Sequence, residues 1–420
     1  MVDTVLMGRA FFEGELRYTE IGIEDGKIVA IGSYVPGGEE RVELGTSMTV
    51  LPGFVDPHVH LRDPGMTQKE DFSTGTLAAV HAGVTTVLDM PNTKPAVYNL
   101  DTLMDKKSHV KGRSYVDYGL FAAITPETNA AMIAKYVPGF KLFMGSTTGN
   151  ILLNDDEELV PAVSEALSTG KRVSVHAEDD SMILKEPERC TRDHLRNRPA
   201  EAEHNAIRRL AKHFKGRNIN ICHITTAEGL DLAKAAGFTT EVTMHHLMFE
   251  VDRFSDAFYK VNPPIRDIAT RDALYKRFLN GEMTMFGTDH APHTLSEKSQ
   301  EFDAAPGGMP GVETTMPIVM NMVRKGIIPM SQAVTMGAIA PGRAFSLPKG
   351  ELKVGMDADL AIFDMRKSTT IDVKKLHSKC GHSQYGGLEA VFPDTVFIRG
   401  EIQVEDGEFC GERRGVDIFG

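Results

Sequence analysis

Two histidines separated by one residue stand in the segment Asp56-Pro-His-Val-His-Leu-Arg. In an extended strand every second side chain faces the same way, so His58, His60 and Arg62 are predicted to point together. Two imidazoles at one strand end form half of a site for zinc or a similar ion. An H-x-H pair is also a common incidental pattern, so the metal interpretation depends on further ligands elsewhere in the chain.

Further ligand types stand at the ends of other short apolar runs. His176, His223 and Asp289 each close such a run. Each one alone is typical of a core histidine or of a helix-capping aspartate. In a parallel barrel, however, the carboxyl ends of all strands face one mouth, where enzymes of this fold do their chemistry. The agreement among four strand ends therefore predicts a metal site at that mouth.

Lys141 interrupts the otherwise apolar run Phe140-Lys-Leu-Phe-Met. On an edge strand such a lysine would point to water. Inside a barrel a buried ammonium is costly and tends to lose its charge, and a neutral amine can add carbon dioxide. The resulting carbamate would bridge two cations as a carboxylate does. We therefore expect two divalent metal ions, with zinc the expected element, and a carbon dioxide-derived carboxylate on Lys141.

This set of residues predicts metal-assisted hydrolysis of a carbonyl–nitrogen bond. Two cations that share a ligand lower the pKa of a water between them to near neutrality. Asp289, close to that water, could accept its proton and pass it to the leaving nitrogen.

Six positions are candidates for substrate binding: Arg62, Asn92, Asn262, His293, Gly307 and Gly308. The arginine offers a planar fork that suits a carboxylate, and the histidine could join it on the same acid group. The asparagines could read the amide edges of a ring, although each alone is typical of a turn. The two glycines could bring backbone N–H groups close to a ligand, although loops of this composition are usually only loops.

Short apolar runs alternate with longer helical patterns through the middle of the chain, which favours βα units and a parallel sheet. A (β/α)8 barrel requires eight such runs, and eight occur, at residues 54–58, 85–89, 115–121, 140–144, 172–176, 218–223, 239–244 and 284–289. Strand-like segments at both ends predict a small β-sandwich from residues 1–50 and 346–420, appended to a catalytic barrel over residues 51–345. Residues 180–198 and 290–311 are expected to be long loops at the working face.

Charge and composition exclude several classes of binding partner. Because the formal net charge is −12, a nucleic acid backbone is not an expected partner. No run approaches the roughly 18 apolar residues of a membrane helix, and the first residues lack the pattern of a signal peptide. We therefore expect a cytoplasmic protein. Its four widely spaced cysteines predict neither a disulfide framework nor a cysteine zinc site.

The segment LPGFVDPHVHLRDPG, which begins at Leu51, resembles the opening signature of dihydroorotases in the amidohydrolase superfamily. Four further motifs follow in that family's order: Asp89-Met-Pro-Asn-Thr, His176-Ala-Glu, Cys222-His and Asp289-His-Ala-Pro-His-Thr. The likeness runs through most of the chain, since the family also has a barrel capped by a sandwich from both termini. Allantoinases and hydantoinases share the metal ligands but lack the arginine after H-x-H and the histidine after Asp-His-Ala-Pro.

The resemblance implies a role for each candidate. The implied metal ligands are one pair for each ion and a bridge between them: His58 with His60, His176 with His223, and carboxylated Lys141. Asp289 is implied to be a further ligand and the catalytic acid and base. The six substrate-binding candidates would hold the acid group and the ring, with Asn262, Gly307 and Gly308 in support. The family interconverts N-carbamoyl-L-aspartate and L-dihydroorotate in pyrimidine synthesis.

Alternatives stay open at this point. Many bacterial relatives use an aspartate as the bridge, which leaves Asp155 and Asp156 as a second choice. Thr243-Met-His-His departs from the proline that usually precedes the histidine pair, and His245 and His246 are expected to be structural. Allantoinase, dihydropyrimidinase or hydantoinase, and a non-catalytic scaffold are the competing functions. A homo-oligomer and an association with aspartate transcarbamoylase are both open.

Overall fold

The computed structural model describes residues 2–147 and 151–420. Within these residues, parallel strands alternate with helices and surround a common core. The strands of this barrel are Phe54–Val59, Val84–Asp89, Asp117–Leu120 with Ala122–Ala123, Gly139–Phe143, Arg172–His176, Ile219–Ile221, Thr239–Val242 and Met285–Phe286. They are nearly all buried on both faces, as strands of a helix-covered parallel sheet are.

The barrel closes through two short connections. Phe121 donates its amide to Asp89 O, so Asp117–Leu120 and Ala122–Ala123 act as one interrupted strand that joins the two parallel sheets. A bridge between Val59 and His290 then links the first strand to the segment after the last. The barrel therefore has eight strands within the described residues, and the predicted (β/α)8 fold class is confirmed.

Helices cover the outside of the barrel and follow the strands in turn. Their bounds are Phe72–His81, Leu100–Val110, Ala130–Ile133, Asp156–Ser168, Thr191–Asn197, Ala200–Phe214, Ala227–Ala235, Met244–Met248, Ile268–Leu279, Leu295–Lys298, Thr315–Arg324, Met330–Val334 and Ala340–Ala344. Ala200–Phe214 shows why they pack: Ile207, Leu210 and Phe214 lie on one face at helical spacing, and all three are buried. No helix among the described residues combines the length and apolar character that a bilayer crossing requires.

Both expected loops contain a short helix, and the one within 290–311 is Leu295–Lys298. The prediction of an irregular segment at 180–198 is wrong for Thr191–Asn197, which is helical. Asp193 in its first turn and Arg196 in its last complement the helix dipole. The polar composition of this segment therefore reflects helix-end electrostatics as well as exposure at the barrel mouth.

Both ends of the chain contribute to one further sheet. Its strands are Thr4–Phe12, Glu15–Glu24, Lys27–Gly32, Glu40–Glu43, Met48–Pro52, Leu360–Asp364, Thr395–Ile398, Glu401–Glu405 and Glu408–Phe409. Met48–Pro52 pairs antiparallel with Leu360–Asp364, which joins the two ends. An apolar cluster that includes Leu6, Ile21 and Phe397 fills its interior. The predicted terminal β-sandwich is thus present, while its boundaries at 1–50 and 346–420 and those of the barrel at 51–345 stay a prediction. Met1 and residues 148–150 lie outside the described residues.

Candidate active site

The carboxyl ends of the barrel strands surround a cleft of about 370 Å³. Its lining includes eleven of the twelve residues predicted from the sequence: His58, His60, Arg62, Asn92, Lys141, His176, His223, Asn262, Asp289, Gly307 and Gly308. His293, the twelfth, lies beside Arg62, with its Nε2 atom 3.2 Å from the arginine Nη2. The closed barrel therefore brings together side chains that are far apart in the sequence.

His58, His60 and Asp289 form the first half of the centre. Asp289 Oδ1 lies 3.0 Å from His60 Nε2 and 3.4 Å from His58 Nε2. Burial lowers the pKa of His58 to about 3 and that of His60 to about 4. Burial alone would raise the pKa of Asp289, but His58 and His60 hold it well below its usual value. Two neutral imidazoles and a carboxylate at this spacing are a suitable donor set for a divalent cation.

His176 and His223 form the second half. His176 Nδ1 lies 3.1 Å from His223 Nε2, and both residues are buried. Burial lowers the pKa of each imidazole, so both are uncharged at neutral pH. His223 Nδ1 is buried and has no hydrogen-bond partner among the described residues. Two facing neutral imidazole nitrogens fit a second cation held between them.

Lys141 lies between the two halves. It is completely buried, and its Nζ atom is 3.5 Å from His58 Nε2 and 3.1 Å from Cys222 Sγ. A buried ammonium without a carboxylate partner is energetically costly, and carboxylation would replace it by an anion that two bound cations compensate. Asp155 is exposed and caps the helix Asp156–Ser168, while Asp156 pairs with Arg209. Neither aspartate lines the cleft, so the alternative bridge has no support from the geometry.

Two carboxylates that the sequence interpretation overlooked hold the histidines from behind. Glu241 Oε2 lies 2.9 Å from His58 Nδ1, and Glu178 Oε2 lies 2.9 Å from His176 Nε2. Arg198 pairs with Glu178 in turn, at 2.7 Å. Such outer contacts decide which ring nitrogen faces the centre and make it a better metal ligand. The available signal was a charged residue inside the buried strand Thr239–Val242, the same signal that identified Lys141.

The backbone is unusual at three positions of the cleft. Arg62, His223 and Asp289 have φ angles of 60°, 35° and 47°. Residues other than glycine rarely adopt this left-handed region, and such conformations concentrate at functional sites. Each of these residues lies two or three positions after the end of a barrel strand, and each side chain lines the cleft.

Arg62 provides a buried positive charge at the cleft. It is only 2% exposed, and its Nε atom donates to Pro292 O at 3.2 Å. Burial lowers its pKa to about 10, so the guanidinium stays charged at neutral pH. No carboxylate of the described residues lies within ion-pair distance of it. A buried cation that lacks an anionic partner within the protein is the mark of a site for an anionic ligand.

Asn92 and Asn262 both line the cleft and both have partners there. Asn92 Oδ1 lies 2.7 Å from His60 Nδ1, so this asparagine orients a predicted metal ligand. Asn262 Oδ1 lies 2.9 Å from His194 Nε2. These contacts position the amide groups at the cleft rather than in simple turns.

The two glycines line the cleft, but one of their amides is engaged elsewhere. Gly308 donates its N–H to Lys260 O at 2.8 Å, which corrects the expectation that this amide faces a ligand. Its φ of 140° and the close approach of Ala291 O explain the need for glycine. A side chain at Gly307 would meet the amide of Asn262.

His245 and His246 lie outside the lining of the cleft. His246 Nε2 is 3.0 Å from Pro263 O, and its Nδ1 is 2.7 Å from Thr243 Oγ1. Thr243 caps the short helix Met244–Met248, and Met244 stands directly before the histidine pair, where proline is usual. These contacts agree with the structural role expected for His246.

The fold and the donor set together describe a divalent-metal hydrolase on a barrel. The Amidohydrolase family model matches residues 49–402, and the chain belongs to this family. It is accordingly a hydrolase that acts on carbon–nitrogen bonds in cyclic amides.

The most similar known proteins include curated relatives and solved structures. A relative named Dihydroorotase from Methanosarcina acetivorans is 36% identical, over 98% of this chain and 94% of the relative. Another of that name from Pyrococcus abyssi is also 36% identical, over 99% of this chain and 98% of the relative. The solved L-hydantoinase (dihydropyrimidinase) of Arthrobacter aurescens has a TM-score of 0.91 at 26% identity and covers 99% of both chains. The dihydropyrimidinase of Brevibacillus agri has a TM-score of 0.89 at 25% identity, over 100% of this chain and 98% of that one.

Proposed function

We propose that this chain is a dihydroorotase, which interconverts N-carbamoyl-L-aspartate and L-dihydroorotate in pyrimidine synthesis. Eight relatives with that name are 32–36% identical over nearly the whole chain. The solved hydantoinases share the fold at lower identity, and that likeness alone does not distinguish the two activities.

The observation that carries the proposal is the buried guanidinium of Arg62, with His293 at 3.2 Å. Dihydroorotate bears a carboxylate on its ring, whereas hydantoin and dihydrouracil do not. A ring without an acid group would leave this cation desolvated and unpaired, which is strongly unfavourable. The arginine therefore favours dihydroorotate over the neutral cyclic amides.

The proposed metal ligands are His58 with His60, His176 with His223, carboxylated Lys141 as the bridge, and Asp289 as a further ligand. The bound ions, for which we propose zinc, would activate water and polarise the ring carbonyl. The imidazoles of His58 and His60 are buried and uncharged, so they need not lose a proton before they bind a cation.

Asp289 is the proposed acid and base. Its pKa lies well below the usual value, so the carboxylate is ionised at neutral pH and has a lone pair that can accept a proton. In ring opening its Oδ atoms take a proton from the attacking water and return it to the leaving nitrogen. Ring closure uses the same transfers in reverse. Arg62 and His293 hold the ring's acid group meanwhile, so that the scissile amide faces Asp289.

A panel of substrates tests the proposal. The purified protein is assayed with carbamoyl-aspartate, dihydroorotate, allantoin, hydantoin and dihydrouracil, before and after removal of metal by a chelator. We expect turnover of the first two, loss on chelation and recovery on addition of zinc. Turnover of a neutral cyclic amide without turnover of dihydroorotate would contradict the proposal. A scaffold without activity would turn over none of the five.

Three further points belong to the proposal. Metal analysis of the purified protein should find about two equivalents per chain. The cytoplasmic location inferred from the sequence remains a prediction. Light scattering with and without aspartate transcarbamoylase would distinguish a homo-oligomer from a mixed complex.

A further inference from the structure

Lys69 lies behind the proposed substrate-binding pair and makes two contacts. Its Nζ atom is 3.0 Å from His293 Nδ1 and 3.0 Å from Glu297 Oε1. Its side chain is only 11% exposed, and His293 is completely buried. Lys69 is neither a proposed metal ligand nor a proposed proton carrier.

The contact with Lys69 determines where the proton of His293 lies. Burial, with the charges of Arg62 and Lys69, lowers the pKa of His293, so the ring is neutral and carries one proton. An ammonium group can only donate hydrogen bonds. His293 Nδ1 must therefore accept from Lys69, and the single proton lies on Nε2.

The position of that proton matters because two groups face Nε2. Gly307 O lies 3.1 Å away and Arg62 Nη2 lies 3.2 Å away. With the proton on Nε2, His293 donates to Gly307 O and cannot accept from Arg62. The arginine N–H then keeps its capacity for a ligand. In the other tautomer Nε2 would accept from Arg62, and this internal hydrogen bond would compete with a carboxylate.

We infer that Lys69 is a positioning residue for the substrate's carboxylate. By holding the Nε2–H tautomer of His293, it prevents the imidazole from accepting the Arg62 N–H, so the guanidinium keeps this donor for the anion. The identity of the anion, the acid group of dihydroorotate, rests on the proposed function. The tautomer itself does not.

A structural role for Lys69 would give a different pattern in matched variants. Lys69→Met keeps the length of the side chain but removes the donor. Lys69→Arg keeps a group that can only donate. Glu297→Gln weakens the ion pair with Lys69, while its amide oxygen can still accept from the amide of Thr294, as the carboxylate does at 2.9 Å. If Lys69 served only the ion pair, Lys69→Met and Glu297→Gln would have equal effects.

The tautomer can be measured directly by NMR of protein labelled with ¹⁵N at histidine, with His293→Gln used to identify the signals of His293. We expect the Nε2–H form in the native protein, in Lys69→Arg and in Glu297→Gln, and a shift toward the Nδ1–H form in Lys69→Met. The Nδ1–H form in the native protein would overturn the inference, as would an unchanged tautomer in Lys69→Met. The tautomer of the native protein still tests the inference if Lys69→Met does not fold. These NMR measurements do not require dihydroorotase activity.

Kinetics give the second readout. In Lys69→Met the KM for dihydroorotate should rise about 10- to 100-fold, the range expected when a hydrogen bond to a charged group is lost, whereas kcat changes little. Lys69→Arg and Glu297→Gln should stay close to the native KM. A fall in kcat with unchanged KM would contradict the inference. A protein that shows the predicted tautomers but no turnover of dihydroorotate would contradict the proposed function alone.

Discussion

Glu241 Oε2 lies 2.9 Å from His58 Nδ1, although the two residues are 183 positions apart in the chain. The carboxylate accepts the Nδ1 proton and thereby directs the Nε2 lone pair toward Asp289, 3.4 Å away. Burial raises the pKa of Glu241 to about 7. A buried carboxylate in this position is typical of the partner that orients a metal-binding imidazole.

Replacement of this carboxylate should weaken metal binding. Glu241→Gln keeps the size of the side chain but removes its charge, so metal affinity should fall about 10- to 100-fold. Metal titration of the chelated protein measures the effect. Glu250→Gln is the matched control, since Glu250 is equally buried and accepts hydrogen bonds from backbone amides instead of a histidine. Equal affinities in the two variants would contradict the role of Glu241.

Lys141 should be required for both metals. In Lys141→Ala the proposed bridge is absent, so metal content and activity should be lost together. Small carboxylic acids should restore part of the activity, because they can occupy the position of the carbamate. Metal analysis and assays with added acetate measure this. An alanine variant that retains both metals would indicate a different bridge.

Arg62→Lys should impair substrate binding while leaving the metals in place. A lysine offers a point charge and cannot reproduce a two-pronged contact with a carboxylate. The KM for dihydroorotate should rise about 10- to 100-fold, the cost of a lost charge-assisted hydrogen bond. Arg366→Lys, at an arginine whose side chain is 75% exposed, is the control. Near-native KM in the Arg62 variant would exclude this residue from the substrate site.

Lys349 should be important for stability rather than for chemistry. Its Nζ atom lies 2.8 Å from carboxylate oxygens of Asp117, Asp357 and Asp359, and it is almost completely buried. Lys349→Met removes the cation that the three carboxylates share. Asp117 keeps Arg399 and Asp357 keeps Lys27, but Asp359 loses its ion-pair partner. The free energy of unfolding should therefore fall by about 3–5 kcal/mol. Chemical denaturation measures the change. Lys367→Met, at a lysine whose side chain is 71% exposed, should have little effect.

His81 should make the protein less stable in mild acid. Burial, with the stacked ring of His377 3.8 Å away, lowers the pKa of His81 to about 4. The unfolded chain takes up this proton near pH 6.5, so stability that is present above that pH is lost as the pH falls toward about 4.

His81→Phe removes this contribution. Its unfolding free energy should therefore decline less than that of the native protein over the same interval of pH. Denaturation midpoints at several pH values measure the difference. Parallel curves for the two proteins would contradict the assignment.

The local pattern of the sequence was sufficient for the barrel strands and for the residues at their ends. The predicted apolar runs agree with the observed strands to within a few residues. His176, His223 and Asp289 could therefore be placed near strand ends from the sequence alone. The helix Thr191–Asn197 was missed because its face toward the core includes Asp193 and His194, which are buried polar residues. Hydrophobic periodicity does not reveal a helix of this kind.

Contacts between distant elements could not be predicted in the same way. Lys69 and His293 are 224 positions apart, and nothing in either local pattern relates them. The Gly308 amide was expected to face a ligand, but it donates to Lys260 O in a loop 48 residues earlier. In each case the partner depends on how loops from separate βα units meet at the barrel mouth.

The sequence by itself determined which residue types stand at the open end of the barrel, because strand alternation and strand ends are local properties of the chain. The tertiary structure alone decided which nitrogen of each imidazole faces inward and which carboxylate or ammonium holds it. Those choices arise only when the closed sheet brings distant side chains within hydrogen-bond distance in a buried environment. Exclusion of water there makes a single hydrogen bond strong enough to select one arrangement.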